Sequence, residues 1–233
     1  MHLNARRLAD FYESPVGQIA RRMIYRRLRL ITPARRPTNV LGFGFAVPYL
    51  RNLLAEAQHV VAFMPAQQGV VAWPSGRPLC VLGEELSLPF ADETFDMVIM
   101  VHGLEGAESV RPLMRQIWRV MEPEGRLLLI VPNRASLWAQ AERSPFAHGH
   151  PYLRGQLEML LRESMFAPQR WESALYFPPL KTRRFIGTGA GWERVGQTLW
   201  PRLGGVHLVD SKKSLFAATP VLVSDRKSLL ARA

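Results

Sequence analysis

Between residues 39 and 131 five short runs are almost wholly apolar: Asn39–Phe43, His59–Phe63, Leu79–Leu82, Phe95–Val101 and Arg126–Val131. Such runs lack the in–out alternation of a strand with one wet face, so they belong in a sheet covered on both sides. Helix-like stretches lie between them, at Pro48–Ala57 and at Ser109–Met121, the second of which is amphipathic. Strands that alternate with helices build βαβ units and a parallel sheet, so the fold class is α/β. Glu122–Gly125 reads as a turn before the fifth run, Tyr152–Ser164 as a further helix, and Gln169–Tyr176 and Val206–Ser211 as late strands.

A length of 233 residues suffices for one large domain with a full core. No stretch approaches the roughly 20 consecutive apolar residues of a membrane span, so no transmembrane segment is expected. The single cysteine, Cys80, falls in a strand-like run and reads as a packing residue. One cysteine excludes a disulfide framework and a multi-cysteine metal cluster, and points to a reducing, cytoplasmic setting.

Thirty Lys and Arg against nineteen Asp and Glu give a formal charge of +11, and the excess is concentrated. Residues 1–36 hold nine arginines (Arg6, Arg7, Arg21, Arg22, Arg26, Arg27, Arg29, Arg35, Arg36) against Asp10 and Glu13. Ile19, Met23, Ile24, Leu28 and Ile31 recur at helical spacing, which predicts a helix that docks by one apolar stripe and holds its arginines outward. We read residues 1–36 as a basic N-terminal helical extension and residues 37–233 as the main domain. The basic face is either simply solvated or a contact for phosphate-rich RNA, an anionic membrane surface or an acidic protein.

The most specific stretch is Leu86–Asn133. It contains Leu88-Pro89-Phe90, Asp92, Thr94-Phe95-Asp96 and Val98, then Arg119-Val120-Met121, Pro123 and Gly125. At these intervals it resembles the class I S-adenosylmethionine-dependent methyltransferases of the type 11 group. The resemblance implies a doubly wound, mostly parallel seven-stranded sheet with a final antiparallel strand, whose hairpin partner is sought near Val206–Ser211 and Leu215–Ala218. It also implies S-adenosylmethionine as cofactor and methyl transfer to an acceptor that the sequence leaves unidentified.

Carried onto this chain, the cofactor positions are Gly42, Gly44 and Ala46 after the first strand, Met64 after the second, and Glu84 and Glu85 after the third. Two of these loops depart from the family pattern. Gly42 stands where an acid is usual, Pro48 replaces the third glycine, and Met64 replaces the acid that accepts the ribose hydroxyls, which a thioether does poorly. These departures put the cofactor in question and keep open a second reading: a catalytically inactive fold serving as scaffold or activator of a protein partner. A side chain at Gly44 is expected to block the cofactor without unfolding the chain.

His102, just past the fourth strand, is the candidate general base, because imidazole exchanges protons near neutral pH. A strand-end cap is its plainer role. Asn133, His148, His150 and Tyr152 follow the fifth strand and are candidate substrate contacts or turn residues. No metal site is expected, since His148 and His150 have no Cys or carboxylate nearby to complete a ligand set.

Overall fold

The structure, a computed structural model, describes residues 3–142, 144–179, 193 and 196–215. Two helices open the chain, α1 (Ala5–Glu13) and α2 (Pro15–Ile31). Seven strands follow: β1 (Asn39–Gly44), β2 (His59–Pro65), β3 (Cys80–Gly83), β4 (Phe95–Val101), β5 (Met121–Pro132), β6 (Phe166–Ala174) and β7 (Val206–Lys213). Between them lie α3 (Val47–Leu50), α4 (Val110–Val120), α5 (Leu137–Gln140) and α6 (Arg154–Glu163).

The seven strands form one sheet in the order β3-β2-β1-β4-β5-β7-β6. β1 to β5 pair in parallel, and β7 inserts antiparallel between β5 and β6. This is the doubly wound, mostly parallel architecture expected from the apolar runs. The period of two sorts each strand between two cores. Met97, Ile99 and Val101 of β4, with Leu128 and Ile130 of β5, join the core that includes α1 and α2. Val98 and Met100, with Leu127, Leu129 and Val131, join the opposite core with α4 and α6.

The conspicuous signature residues hold the scaffold together. The Asp96 carboxylate accepts from the backbone N–H groups of Thr38 (2.7 Å) and Asn39 (2.9 Å), locking the start of β1 to the start of β4. The Arg119 guanidinium donates to the carbonyls of Leu88 and Phe90, both at 2.9 Å, and to Asp92 at 2.6 Å. Both motifs therefore set loop and strand geometry.

Local structure differs from expectation in four places. The helix expected over Pro48–Ala57 is only α3 followed by a 3-10 turn at Leu53–Ala55. Tyr49 and Leu50 are buried whereas Leu54 is exposed, so a longer helix would have no further face to bury. The turn expected at Glu122–Gly125 lies within the span of β5 as an outward bulge, with Glu124 at φ 67° and the pairing register shifted between Phe95 and Met97. β6 starts at Phe166, ahead of the expected Gln169, across an irregularity between Pro168 and Arg170. The partner of β7 is β6, and residues 216–218 of the expected hairpin lie outside the described residues.

The N-terminus is two helices joined at a corner. Ser14 closes α1, and its Oγ accepts from Gly17 N–H at 3.1 Å to cap α2, with Pro15 in the first turn. A Cβ at Gly17 would overlap the Phe11 carbonyl, so only glycine lets the two helices approach this closely. Ala20, Ile24, Leu28 and Ile31 of α2 are buried in the same core as the strands, while Arg22, Arg26 and Arg29 are exposed. Among the described residues no helix is long and apolar enough to cross a membrane.

Candidate functional site

In an open α/β sheet the crevice for ligands lies at the carboxyl ends of the strands, where the strand order reverses. Here that reversal falls between β1 and β4. Gly44 ends β1 at φ 73°, and the chain returns through Phe45, whose N–H donates to the Val101 carbonyl at 2.7 Å. A Cβ at Gly44 would overlap that same carbonyl oxygen and sit 2.9 Å from Gly103 N. The glycine is thus required by the protein's own backbone, and the expectation that a side chain there leaves the fold intact is corrected.

The other sequence-derived positions fall as follows. A Cβ on Gly42 would press into the Leu50 side chain and lie 2.9 Å from the Ala46 Cβ, so both small residues make room for α3. Met64 is fully buried, and its Sδ lies 3.5 Å from the Val71 N–H. Glu84 is exposed. Glu85 is buried, with Oε1 accepting from Glu108 N–H at 3.0 Å, which ties the loop after β3 to the start of α4.

His102 is the centre of the strand-end cluster. It has φ 50°, an uncommon backbone for a non-glycine residue, and it is buried. Its Nδ1 lies 3.1 Å from Glu105 Oε1, and its Nε2 lies 2.9 Å from the Tyr12 hydroxyl. The Tyr49 hydroxyl donates to Tyr12 at 3.4 Å. An ionised carboxylate can only accept, so the ring proton sits on Nδ1 and Nε2 accepts from Tyr12. The donors run in one direction, Tyr49 to Tyr12 to His102 to Glu105. Burial, then Tyr49 and Glu105, drive the Tyr12 hydroxyl well above its ordinary pKa, so it is a firm O–H donor.

Tyr12 comes from α1, which lies across the ends of four strands. The Ala5 N–H donates to the Gln68 carbonyl beyond β2 at 2.7 Å. Tyr12 stacks on Phe45 beyond β1 with ring centres 5.9 Å apart, and Phe11 meets Phe146 beyond β5 at 6.0 Å. Leu8 and Tyr12 are buried. The helix therefore forms a roof about 14 Å long over the crevice. The sequence places it in the basic N-terminal extension, but the apolar stripe read there, Ile19 to Ile31, belongs to α2 and gives no sign of where α1 docks.

Two buried acceptors under this roof, Gln68 Oε1 and Glu105 Oε2, have no hydrogen-bond partner among the described residues. Gln68 is anchored by its Nε2, which donates to the His102 carbonyl at 2.8 Å. Gln68 follows β2 by three residues and was not singled out from the sequence. Glu105, three residues after His102, likewise carries no sequence signal of its own. Asn133 is buried with its amide committed to the carbonyls of Arg202 (2.9 Å) and Gly204 (2.8 Å). Tyr152 bridges to Asn133 through backbone, and its hydroxyl is pushed up to about 12 by burial and then by Glu105. His150 is exposed and donates its backbone N–H to the Glu105 carbonyl at 2.7 Å, and His148 is half-buried.

Comparison with known proteins gives the same outline. A family model described as "Methyltransferase domain" matches residues 41–129. The uncharacterized protein YafS of Escherichia coli is 26% identical over 209 residues, covering 88% of this chain and 80% of its own length. Demethylmenaquinone methyltransferase of Corynebacterium kroppenstedtii is 29% identical over 135 residues, and the chain spans about half of that relative (54% of this chain, 53% of the relative). A putative methyltransferase of Haloferax volcanii, solved in complex with the Trm112 methyltransferase activator, superposes with a TM-score of 0.60 at 14% identity, over 89% of this chain and 97% of that one.

A solved structure of this fold from Archaeoglobus fulgidus, with a TM-score of 0.60 at 17% identity over 88% of this chain and 96% of that one, is described as a SAM-dependent methyltransferase. The donor set fits that cofactor, S-adenosylmethionine. Hydroxyls and an ammonium need buried acceptors, and Gln68 Oε1 and Glu105 Oε2 are two acceptors left open at the strand ends. α1 closes over this region through Ala5, bonded to the Gln68 carbonyl, and Tyr12, bonded to His102, so α1 must shift for a ligand to enter.

Proposed function

We propose that the chain is a class I S-adenosylmethionine-dependent methyltransferase that binds this cofactor under α1 and methylates an acceptor hydroxyl, with His102 as the base. When bound, the cofactor supplies an electrophilic methyl group. Gln68 Oε1 would take over the hydroxyl-accepting task that Met64 cannot perform, and the second oxygen of Glu105 would accept from the ligand's ammonium. Glu105 Oε1 holds the Nδ1 proton, so His102 Nε2 is the lone pair aimed into the crevice.

The observation that carries this reading is the Tyr12–His102 hydrogen bond. A hydroxyl already stands 2.9 Å from Nε2, in a buried aromatic setting beside Phe45 and Phe146. An acceptor hydroxyl that displaces Tyr12 would meet the same lone pair. Its oxygen would gain the methyl group while its proton passes to Nε2, leaving the thioether product of the cofactor. Proximity and alignment supply most of what such a displacement needs.

The replacement of the usual acids by Gly42 and Met64, both packed inside the protein, favours the second reading of a non-catalytic scaffold. The exposed arginines of α2 would then be its partner surface. Calorimetric titration of the full chain with S-adenosylmethionine and S-adenosylhomocysteine separates the two. Saturable binding that weakens about tenfold in Gln68→Leu supports the enzyme reading, by the cost of one buried acceptor. Absence of binding at millimolar ligand, with a specific protein captured only when the α2 arginines are intact, supports the scaffold.

A further inference from the structure

A second concavity lies away from the roofed crevice, between the ends of β5, β6 and β7. It is a cavity of about 540 Å³ whose walls include Arg154, Trp171, Glu172, Tyr176, Arg202 and His207. That volume is in the range of small-molecule sites. Nothing in the methyl-transfer reading uses these residues.

Three independent features point to one ligand chemistry. The first is cationic. Arg154 opens α6, a ten-residue helix with no acidic residue in its first turn, so the guanidinium and the positive helix end coincide. Arg154 lies over the Trp171 ring at 4.8 Å, which fixes it at the wall. Arg202 sits on a loop pinned from both sides: Asn133 donates to the Arg202 and Gly204 carbonyls, and the Tyr176 hydroxyl donates to the Pro201 carbonyl at 3.2 Å. Glu172, the one acid named in the wall, has its carboxylate 3.7 Å from Arg27.

The second feature is His207, which is only 6% exposed. Its Nε2 is buried with no hydrogen-bond partner among the described residues. The Tyr152 backbone hydrogen-bonds the ring. A carbonyl accepts, so the ring proton sits on Nδ1 and Nε2 is an unused lone pair that needs an N–H or O–H donor. Burial, then Arg154, push the imidazole down to about 4, so it stays neutral at physiological pH and cannot serve as a further cation. The third feature is the aromatic wall of Trp171 and Tyr176, which gives a flat apolar surface for a carbon skeleton.

We propose that this cavity binds a small organic anion that carries a hydroxyl beside its carboxylate, a 2-hydroxycarboxylate in chemical class. The carboxylate is held by Arg154 and Arg202 at the start of α6, and the hydroxyl donates to His207 Nε2. Arginine's fork suits a planar carboxylate, and a buried acceptor discriminates strongly in favour of the ligand that supplies its donor. The site does not depend on the cofactor reading, because every contact lies outside the crevice under α1.

The test is calorimetry on the full, cofactor-free chain with L-malate, with succinate as its hydroxyl-free counterpart and inorganic phosphate as a third probe. L-Malate is expected to bind saturably, about tenfold more tightly than succinate, the size of one discriminating hydrogen bond. Arg154→Gln, a change at an exposed side chain, is expected to weaken L-malate about tenfold or more, and His207→Phe to erase the preference over succinate. Should His207→Phe fail to fold, the comparison of the two acids on the wild type still decides. Equal affinity for malate and succinate, preference for phosphate, binding unaffected by Arg154→Gln, or no saturable binding of any probe would each overturn the assignment.

Discussion

Replacing Tyr12 with phenylalanine removes one oxygen from the roof and leaves the ring. In the wild type that hydroxyl donates to His102 Nε2 at 2.9 Å and accepts from Tyr49 at 3.4 Å, inside a buried cluster. The phenyl ring keeps its stacking on Phe45, so the apolar contribution is nearly unchanged. What is lost is the partner of a buried nitrogen lone pair, which costs about 1–3 kcal/mol. The Tyr49 bond is long and adds little. If α1 must lift before the cofactor enters, the same free energy favours the open form, raising its population roughly 5- to 150-fold. The apparent dissociation constant for S-adenosylmethionine then falls by that factor, because the affinity of a rarely populated competent state is reduced by its population. Urea unfolding followed by circular dichroism measures the first quantity, and titration calorimetry of wild type and Tyr12→Phe measures the second. Unchanged stability would mean that the hydroxyl contributes nothing to docking. Lost stability with unchanged cofactor affinity would show that α1 does not lie on the ligand's path, and the proposed crevice would be abandoned.

Other perturbations test other parts of the molecule. Gly44→Ala puts an L side chain at φ 73° and against the Val101 carbonyl, so it should destabilise the fold by about 2–4 kcal/mol, read from urea midpoints. A stable variant would refute the account of that loop. Arg126→Leu strips the guanidinium from Asp210, which is fully buried between β5 and β6, and should cost about 3–5 kcal/mol, whereas removing both charges together should cost less. His207 has a folded pKa near 4 against 6.5 when unfolded. Between those values the unfolded chain binds the extra proton, so stability rises with pH across that window and is lost as pH falls. Wild type should therefore lose about 3 kcal/mol more than His207→Gln between pH 7 and pH 4, and equal losses would refute the buried neutral imidazole. Asp96→Ala should free the Thr38 and Asn39 N–H groups and loosen the start of β1, seen as faster amide exchange at the edge of that strand than in β5.

The sheet was legible because its information is local and repeated. Every core strand carries an apolar residue on both faces, and that pattern survives any uncertainty about where a strand begins. Asp96 and Arg119 stood out as part of the stretch that resembles the type 11 methyltransferases, and only the structure shows that they tie strand starts and loops. The boundaries that went astray, at Pro48–Ala57 and at β6, depend on what is already packed nearby. Leu54 looks like a core residue until the place beneath it proves to be solvent. The site was less legible for a related reason. A helical stripe such as Ile19 to Ile31 announces that a face will be buried, and nothing in its spacing says against what; Leu8 and Tyr12 carry no such signal at all. The crevice is assembled from Tyr12, Phe45, Gln68, His102, Glu105 and Phe146, residues drawn from the N-terminus and four strand ends, and only His102 carried a sequence signal for chemistry. Gln68 stands outside the position where an acid would be sought, yet its acceptor reaches the same buried region. Loss of the acid at Met64 and presence of a roof bear on one another. An acidic side chain at the fully buried position of Met64 would be a buried charge, at a cost of several kcal/mol unless a cation pairs with it. A neutral amide and a thioether let α1 close. The substitutions that make the cofactor loops look degenerate are those that a closed roof requires, so they bear on how the crevice opens before they bear on whether it is used.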